Sequence, residues 1–256
     1  MQTTRQLDST TPLVLANSLA SNHLIWQYLT PHWETERPII QVEYAGHTQQ
    51  QSNHPTLTLA MHNSVQAMGD DIIQQLDARG IHTFDFAGVS LGAMVGLDLA
   101  SRYPDRVGRL LAANCRSWQE QESREQWDAR IELVQKEGIQ AICEGTLSRW
   151  FTPAFTAAHP TTVEQIRTAM LAVSPSAYRA AAQAVRDQDL RHTIAQIRCP
   201  VLLVTGNEDL AAPAEHMQEV KKLLSHAQLE VLADCAHISS LEQAGRLRTL
   251  SQTFFS

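Results

Sequence analysis

Apolar residues fall along this chain in two alternating rhythms. Short runs rich in Val, Ile, Leu and Phe occupy positions 12–17, 38–43, 83–87, 109–113, 201–205 and 229–232. Their length and composition are those of strands buried on both faces. Between them lie stretches of helical period: over 64–79, Val65, Met68, Ile72, Ile73 and Leu76 share one face. Strands alternating with helices predict right-handed crossovers and a mostly parallel sheet covered on both sides, an α/β fold.

The alternation stops at about residue 117 and the sheet pattern resumes near Ile197. Positions 117–186 read as helix after helix, punctuated by Gly138, the pair Thr152-Pro153 and the pair Ser174-Pro175. The pattern therefore predicts a core built from 1–116 and 187–256 with a helical lid, 117–186, inserted between its halves. No internal repeat interrupts it, and Gln49-Gln50-Gln51 is expected in a surface loop.

The run at 83–87 leads into Gly88-Val89-Ser90-Leu91-Gly92, and positions 91–102 have helical character. Strand, sharp turn and helix are the setting a nucleophile elbow requires: the serine sits in a strained turn with its hydroxyl projecting, and the glycines leave room where a Cβ would strike backbone. An alternative is that the glycines serve only helix-on-strand packing, with Ser90 as a helix cap. Two later residues weigh against it. Asp209 follows the run 201–205 through Gly206-Asn207-Glu208, and His237 follows the run 229–232 through Ala233-Asp234-Cys235-Ala236. The order Ser, acid, His is that of α/β-hydrolase triads, and all three lie past strand C-termini, where open parallel sheets place their sites. Glu208 is a rival acid, and Asp209 could instead cap a helix starting near Pro213. In the catalytic reading His237 takes the proton of Ser90, and Asp209 holds the imidazole tautomer. The amides of Leu91 and of Leu19, in Asn17-Ser18-Leu19-Ala20-Ser21, are the candidate oxyanion donors.

Several further segments resemble the 3-oxoadipate enol-lactonases. They are Asn17-Ser18-Leu19, the elbow, Trp127-Asp128-Ala129-Arg130, Arg149-Trp150-Phe151-Thr152-Pro153-Ala154-Phe155, Ser174-Pro175-Ser176-Ala177-Tyr178, the stretch 197–200 and the stretch 236–243. The likeness extends over most of the chain. It implies an α/β-hydrolase fold and hydrolysis of the enol-lactone of 3-oxoadipate in aromatic catabolism, without metal or organic cofactor. The chain departs from the family pattern in three places. Ala45 stands where the family has Arg, Ala93 replaces the second glycine after the elbow, and the residues before Pro12 are too few for the usual opening hairpin. Such a lactone carries a free carboxylate, for which Arg130, Arg149 and the Trp150 indole are candidate donors. These arginines could equally be solvated on helix faces, with Trp150 packing the lid. A carboxylesterase or lactonase of another substrate class, and a ligand receptor on the same fold, stay open beside the lactonase reading.

Composition narrows the partners. Hydrophobic residues make up 43% of the 256 positions and charged residues 18%, an ordinary globular balance. A formal charge of −7 provides no basic field for nucleic acid. The four cysteines form no CxxC pair, the 11 histidines form no HExxH, and no stretch approaches 18 apolar residues. Residues 1–11 lack an apolar export core. The expectation is a cytoplasmic protein with a small-molecule substrate and no membrane contact, its oligomeric state left open.

Overall fold

All six apolar runs are strands, and a seventh joins them. In this computed structural model, which describes residues 11–47, 52–224 and 226–256, the strands are β1 (Leu13–Ala16), β2 (Ile39–Tyr44), β3 (Thr56–Leu59), β4 (Phe84–Val89), β5 (Val107–Ala113), β6 (Val201–Gly206) and β7 (Gln228–Leu232). They form one sheet in the order β3-β2-β1-β4-β5-β6-β7, and every neighbouring pair is parallel. The strand the apolar runs did not predict is β3. Its sequence, Thr-Leu-Thr-Leu, supplies only two apolar side chains; Leu57 and Leu59 are fully buried while Thr58 faces out, as suits a strand at the sheet's edge. The Gln49–Gln51 patch lies outside the described residues.

The chain enters at the middle of the sheet, runs outward through β2 and β3, and returns to lay β4 on the other side of β1. That reversal makes the β1/β4 boundary a topological switch point, where the loops past both strands diverge and leave a crevice. Helix α1 (Thr30–Trp33) lies between β1 and β2; α2 (Val65–Asp77) and α3 (Leu91–Arg102) flank β4 in sequence. Ser64 caps α2 by accepting from the Ala67 amide, and the predicted apolar face, Val65, Met68, Ile72, Ile73 and Leu76, is buried. Helix α3 matches the expected span 91–102 and is buried along most of its length; it packs on β1, β4 and β5.

Between β5 and β6 come five α-helices, α4 (Gln121–Glu137), α5 (Gln140–Trp150), α6 (Pro153–Ala158), α7 (Pro160–Leu171) and α8 (Pro175–Asp187), and a 3-10 turn, Ile194–Gln196. The punctuation has physical causes. Gly138 ends α4 at φ +82°, which a side chain rarely adopts. Thr152 and Ser174 each accept an amide hydrogen bond as N-caps, followed by Pro at the first helical position. Pro160 also stands at the first helical position of α7, where His159 makes no side-chain cap. The segment returns beside its own start, where the Leu190 amide donates to Ser117 O (2.8 Å) and Trp118 bridges to Asp189. Helix α9 (Ala214–Leu223), the short α10 (Ser239–Glu242) and α11 (Ala244–Phe255) complete the chain. Among the described residues no helix is long and apolar enough to cross a membrane, and all four cysteines are buried and unpaired.

Candidate active site

Ser90 occupies the one-residue turn between β4 and α3 with φ 56° and ψ −115°, a conformation that costs a non-glycine residue about 1–3 kcal/mol. Its amide is fixed on the Ala113 carbonyl (2.8 Å), and its hydroxyl makes no capping bond to α3. The flanking glycines are steric necessities. A Cβ on Gly88 would lie 2.3 Å from the Gly92 carbonyl carbon, and one on Gly92 would lie 2.3 Å from Ala16 O. A packing role and a projecting serine therefore coincide here, and the helix-cap alternative does not describe Ser90.

The loop after β1 is pinned from three sides through Asn17. Its side-chain amide donates to Val42 O (2.7 Å) and accepts from the Trp26 indole (3.1 Å), while its carbonyl accepts from the Gly92 amide (3.0 Å) and the Tyr44 hydroxyl (3.0 Å). Ala20 adopts φ 61° in the turn that follows. The amides of Leu19 and Leu91 donate to no acceptor among the described residues. Leu19 and Ser90 line the same cavity.

Asp209 and His237 meet in the loops past β6 and β7. His237 Nδ1 lies 2.9 and 3.0 Å from the two carboxylate oxygens, and both residues are buried. Asp209 Oδ1 also accepts from the Ala211 and Ala212 amides (2.9 and 2.8 Å), and Oδ2 accepts from Asn114 Nδ2 (3.0 Å). Burial alone would raise this carboxyl; the imidazole and these donors outweigh it and hold Asp209 below the usual carboxylate range. An ionised Asp209 can only accept, so Nδ1 carries the ring proton and Nε2 is left as a base. The competing assignments separate cleanly: Glu208 is exposed, and α9 has no side-chain cap from Asp209.

Ser90 and His237 face a common cavity of about 500 Å³ at the β1/β4 switch point, roofed by the helical segment. No hydrogen bond joins the Ser90 hydroxyl to His237 among the described residues. Arg130, Arg149 and Trp150 line the cavity too. Trp150 is buried, its ring 6.2 Å from that of His237. Arg130 is held by the Tyr178 hydroxyl (2.6 Å) and by Thr146 Oγ1. Arg149 is exposed overall; partial desolvation and the facing charge of Arg130 push its guanidinium below the ordinary arginine range. A third arginine of the wall, Arg116, is paired with Glu120 (3.1 Å). No carboxylate lines the cavity among the described residues, and no ion pair involves Arg130 or Arg149.

The pattern of residue types did not single out Asn114, Thr146 or Arg116. Asn114 had a usable signal, since it lies past the C-terminal end of a predicted strand, as Asp209 does. It is fully buried at φ 53°, a left-handed conformation asparagine tolerates, and it donates to both Asp209 and Ala236 O (3.1 Å) while accepting from Ser239 Oγ (2.6 Å). No group of three or more His, Cys, Asp or Glu that could hold a metal ion occurs among the described residues.

The chain is 29% identical over 231 residues to 3-oxoadipate enol-lactonase 2 of Acinetobacter baylyi, covering 90% of this chain and 83% of that protein. It is 25% identical over 250 residues to the putative carbamate hydrolase RutD of Agrobacterium fabrum, 94% and 92% of the two chains. Among solved structures, a hydrolase from Pseudomonas aeruginosa PA01 superposes with a TM-score of 0.85 at 26% identity, over 98% of this chain and 91% of that one. The enol-lactonase from Burkholderia xenovorans LB400 shares the fold with a TM-score of 0.86 at 24% identity, over 98% and 93%. The sequence model of the alpha/beta hydrolase family matches residues 13–249, and the chain belongs to that family.

Proposed function

We propose that this hydrolase opens a small anionic lactone or ester through an acyl-enzyme on Ser90, with the enol-lactone of 3-oxoadipate as the substrate that fits best. The observation that carries the reading is the cavity itself. It combines Ser90 and an Asp209-supported His237 with two arginines, Arg130 and Arg149, that have no carboxylate partner. Guanidinium groups without a counter-charge in the wall favour an anionic ligand, and a bidentate contact from Arg149 would orient it.

In this reading Ser90 Oγ attacks the lactone carbonyl while His237 Nε2 takes its proton. The oxyanion is received by the amides of Leu19 and Leu91, each worth about 3 kcal/mol of transition-state stabilisation. Ring opening expels an enolate that His237 protonates and that relaxes to the ketone, so the leaving group stays tethered to the acyl chain. Water, deprotonated by His237, then releases the keto acid and restores Ser90. Arg130, Arg149 and the Trp150 indole hold the free carboxylate away from the reacting carbonyl. Residues 117–186 act as a cap that supplies this recognition, on a core of 1–116 and 187–256.

The test is product analysis with 3-oxoadipate enol-lactone beside a neutral ester such as p-nitrophenyl octanoate and a simple N-substituted carbamate, for wild type and Ser90→Ala. We expect the lactone to give the highest kcat/KM and Ser90→Ala to lose turnover on every substrate. Preference for the octanoate or the carbamate would overturn the substrate assignment, and turnover surviving in Ser90→Ala would overturn the nucleophile.

A further inference from the structure

Glu242 is used by neither the proposed chemistry nor the cavity wall, yet its side chain ties the His237 loop to the helical segment. It ends α10, five residues beyond His237. Its Oε1 accepts from the Thr152 amide (2.7 Å) and the Thr152 hydroxyl (2.9 Å), at the junction of α5 and α6. Its Oε2 accepts from the Ala236 amide (2.5 Å), one residue before His237. The return contacts run beside it: the Trp150 carbonyl accepts from the amides of His237 (3.1 Å) and Ile238 (3.3 Å). The backbone that carries His237 is thus hung from residues 150–152 on one side, while the imidazole is held by Asp209 on the other.

We propose that Glu242 is a positioning residue that sets His237 relative to Ser90 by tying its loop to the Trp150–Thr152 junction, so that the base is in register only when that junction is docked. The proposal rests on the assignment of Ser90 and His237 as nucleophile and base. The chemistry of the side chain favours a specific role over general packing. Three donors converge on one half-buried carboxylate, two on one oxygen and one on the other, and only an acceptor at both ends satisfies them. Burial works against a charged carboxyl here and is opposed by the bonds from Thr152 and Ala236. Glutamine would keep one acceptor and turn an NH2 group toward an amide donor, freeing one side of the tie while keeping size and shape.

A loosened loop misplaces the base without touching the groups that bind the substrate carboxylate. Displacements of about 1 Å in a catalytic group cost up to about 100-fold in rate, and the loss falls on kcat because the base acts in the transition state. The experiment measures kcat and KM for wild type, Ser90→Ala, Glu242→Gln, Thr152→Val and Thr152→Ser on p-nitrophenyl acetate and on the enol-lactone. Rates are expressed per folded molecule from near-ultraviolet circular dichroism. We expect Glu242→Gln to lower kcat about 10- to 100-fold on both substrates with KM within about threefold. Thr152→Val, which removes one of the three donors and with it the α6 N-cap, should lower kcat per folded molecule by less and also lower the melting temperature, and Thr152→Ser, which restores the hydroxyl, should recover wild-type kcat. If Glu242→Gln fails to fold, the contrast between Thr152→Val and Thr152→Ser decides alone. Wild-type turnover lost in Ser90→Ala but undiminished per folded molecule in Glu242→Gln, or equal kcat in the two Thr152 variants, overturns the positioning role. Turnover retained in Ser90→Ala sinks the reading beneath it and the proposal with it.

Discussion

The two walls of the cavity are built on different principles. On the sheet side, every group assigned to the chemistry is fixed by backbone or by buried polar bonds. Ser90 is locked by its Ala113 contact and by glycines that tolerate no Cβ, and Asp209 is surrounded by His237, Asn114 and two amides. On the helical side, Arg130 has two hydroxyl partners and Arg149 is exposed with no ion pair. Chemistry that must be placed to a fraction of an ångström sits where strand ends and buried hydrogen bonds leave no freedom. Recognition of a ligand charge tolerates, and benefits from, a group such as Arg149 that remains free to turn toward it.

The strongest way to break this contrast is to disturb the sheet side without removing a single heavy atom. Asp209→Asn retains the shape but offers an NH2 group, which selects the wrong imidazole tautomer. We expect kcat to fall about 10⁴-fold, equally on anionic and neutral esters, with a lower melting temperature because the new NH2 group meets the Asn114 donor. Steady-state kinetics on both substrate types checks this; a loss confined to the anionic substrate would move Asp209 from chemistry to recognition.

The seam between the walls gives the next effect, one of stability. The turn after β2 carries Gly46, whose carbonyl accepts from the Ser174 amide at the start of α8 (2.9 Å), and His47, which is buried against the Tyr44 ring at 5.3 Å. Burial pushes the His47 imidazole down to about 4 from its ordinary 6.5, only partly offset by the Ala45 backbone. As pH falls from 6.5 toward 4 the unfolded chain takes up a proton that the folded chain refuses. Stability is therefore intact above 6.5 and declines by about 3 kcal/mol across that window. Urea unfolding at pH 7.5 and 4.5 measures the decline, and His47→Asn should flatten it.

On the helical side the effects are smaller and selective. Arg149→Gln and Arg130→Gln should each lower kcat/KM for an anionic lactone about 10- to 100-fold, as expected for a lost charge-assisted contact, and leave p-nitrophenyl acetate unaffected. Only Arg130→Gln should also lower the melting temperature, because it releases Tyr178 and Thr146. Equal losses on the neutral ester would mean that these arginines support the site's structure and do not read the ligand.

The same contrast explains what could be read from sequence. The sheet side was legible because strands, glycines and loop positions follow local rules: the span of α3, the face of α2 and the meeting of Asp209 with His237 all come from period, turn chemistry and chain order. Strand β3 escaped because two leucines at a sheet edge give too weak an apolar signal. On the helical side the breaks between helices were readable at Thr152-Pro153 and Ser174-Pro175. What Arg130 touches was not, since Tyr178 lies 48 positions away and no periodicity encodes such a pairing. Asn114 and Glu242 act by linking loops distant in sequence, and such links become visible only when the strand order brings them together.

The smallest expected effect comes from the neighbour of the largest. Glu208 and Asp209 are adjacent carboxylates in one loop, and chain order alone left both open as the acid. Glu208 is exposed, and its link to the His237 loop is through its backbone amide, which donates to Cys235 O (2.9 Å). A substitution that alters only its side-chain charge leaves that bond in place, and an exposed charge acts on the site through solvent-screened distance. Glu208→Gln should therefore keep kcat and KM within about twofold of wild type on both ester types. A loss comparable to that of Asp209→Asn would mean that the loop turns over during catalysis, presenting Glu208 to the imidazole, and the rigid character ascribed to the sheet side would have to be given up.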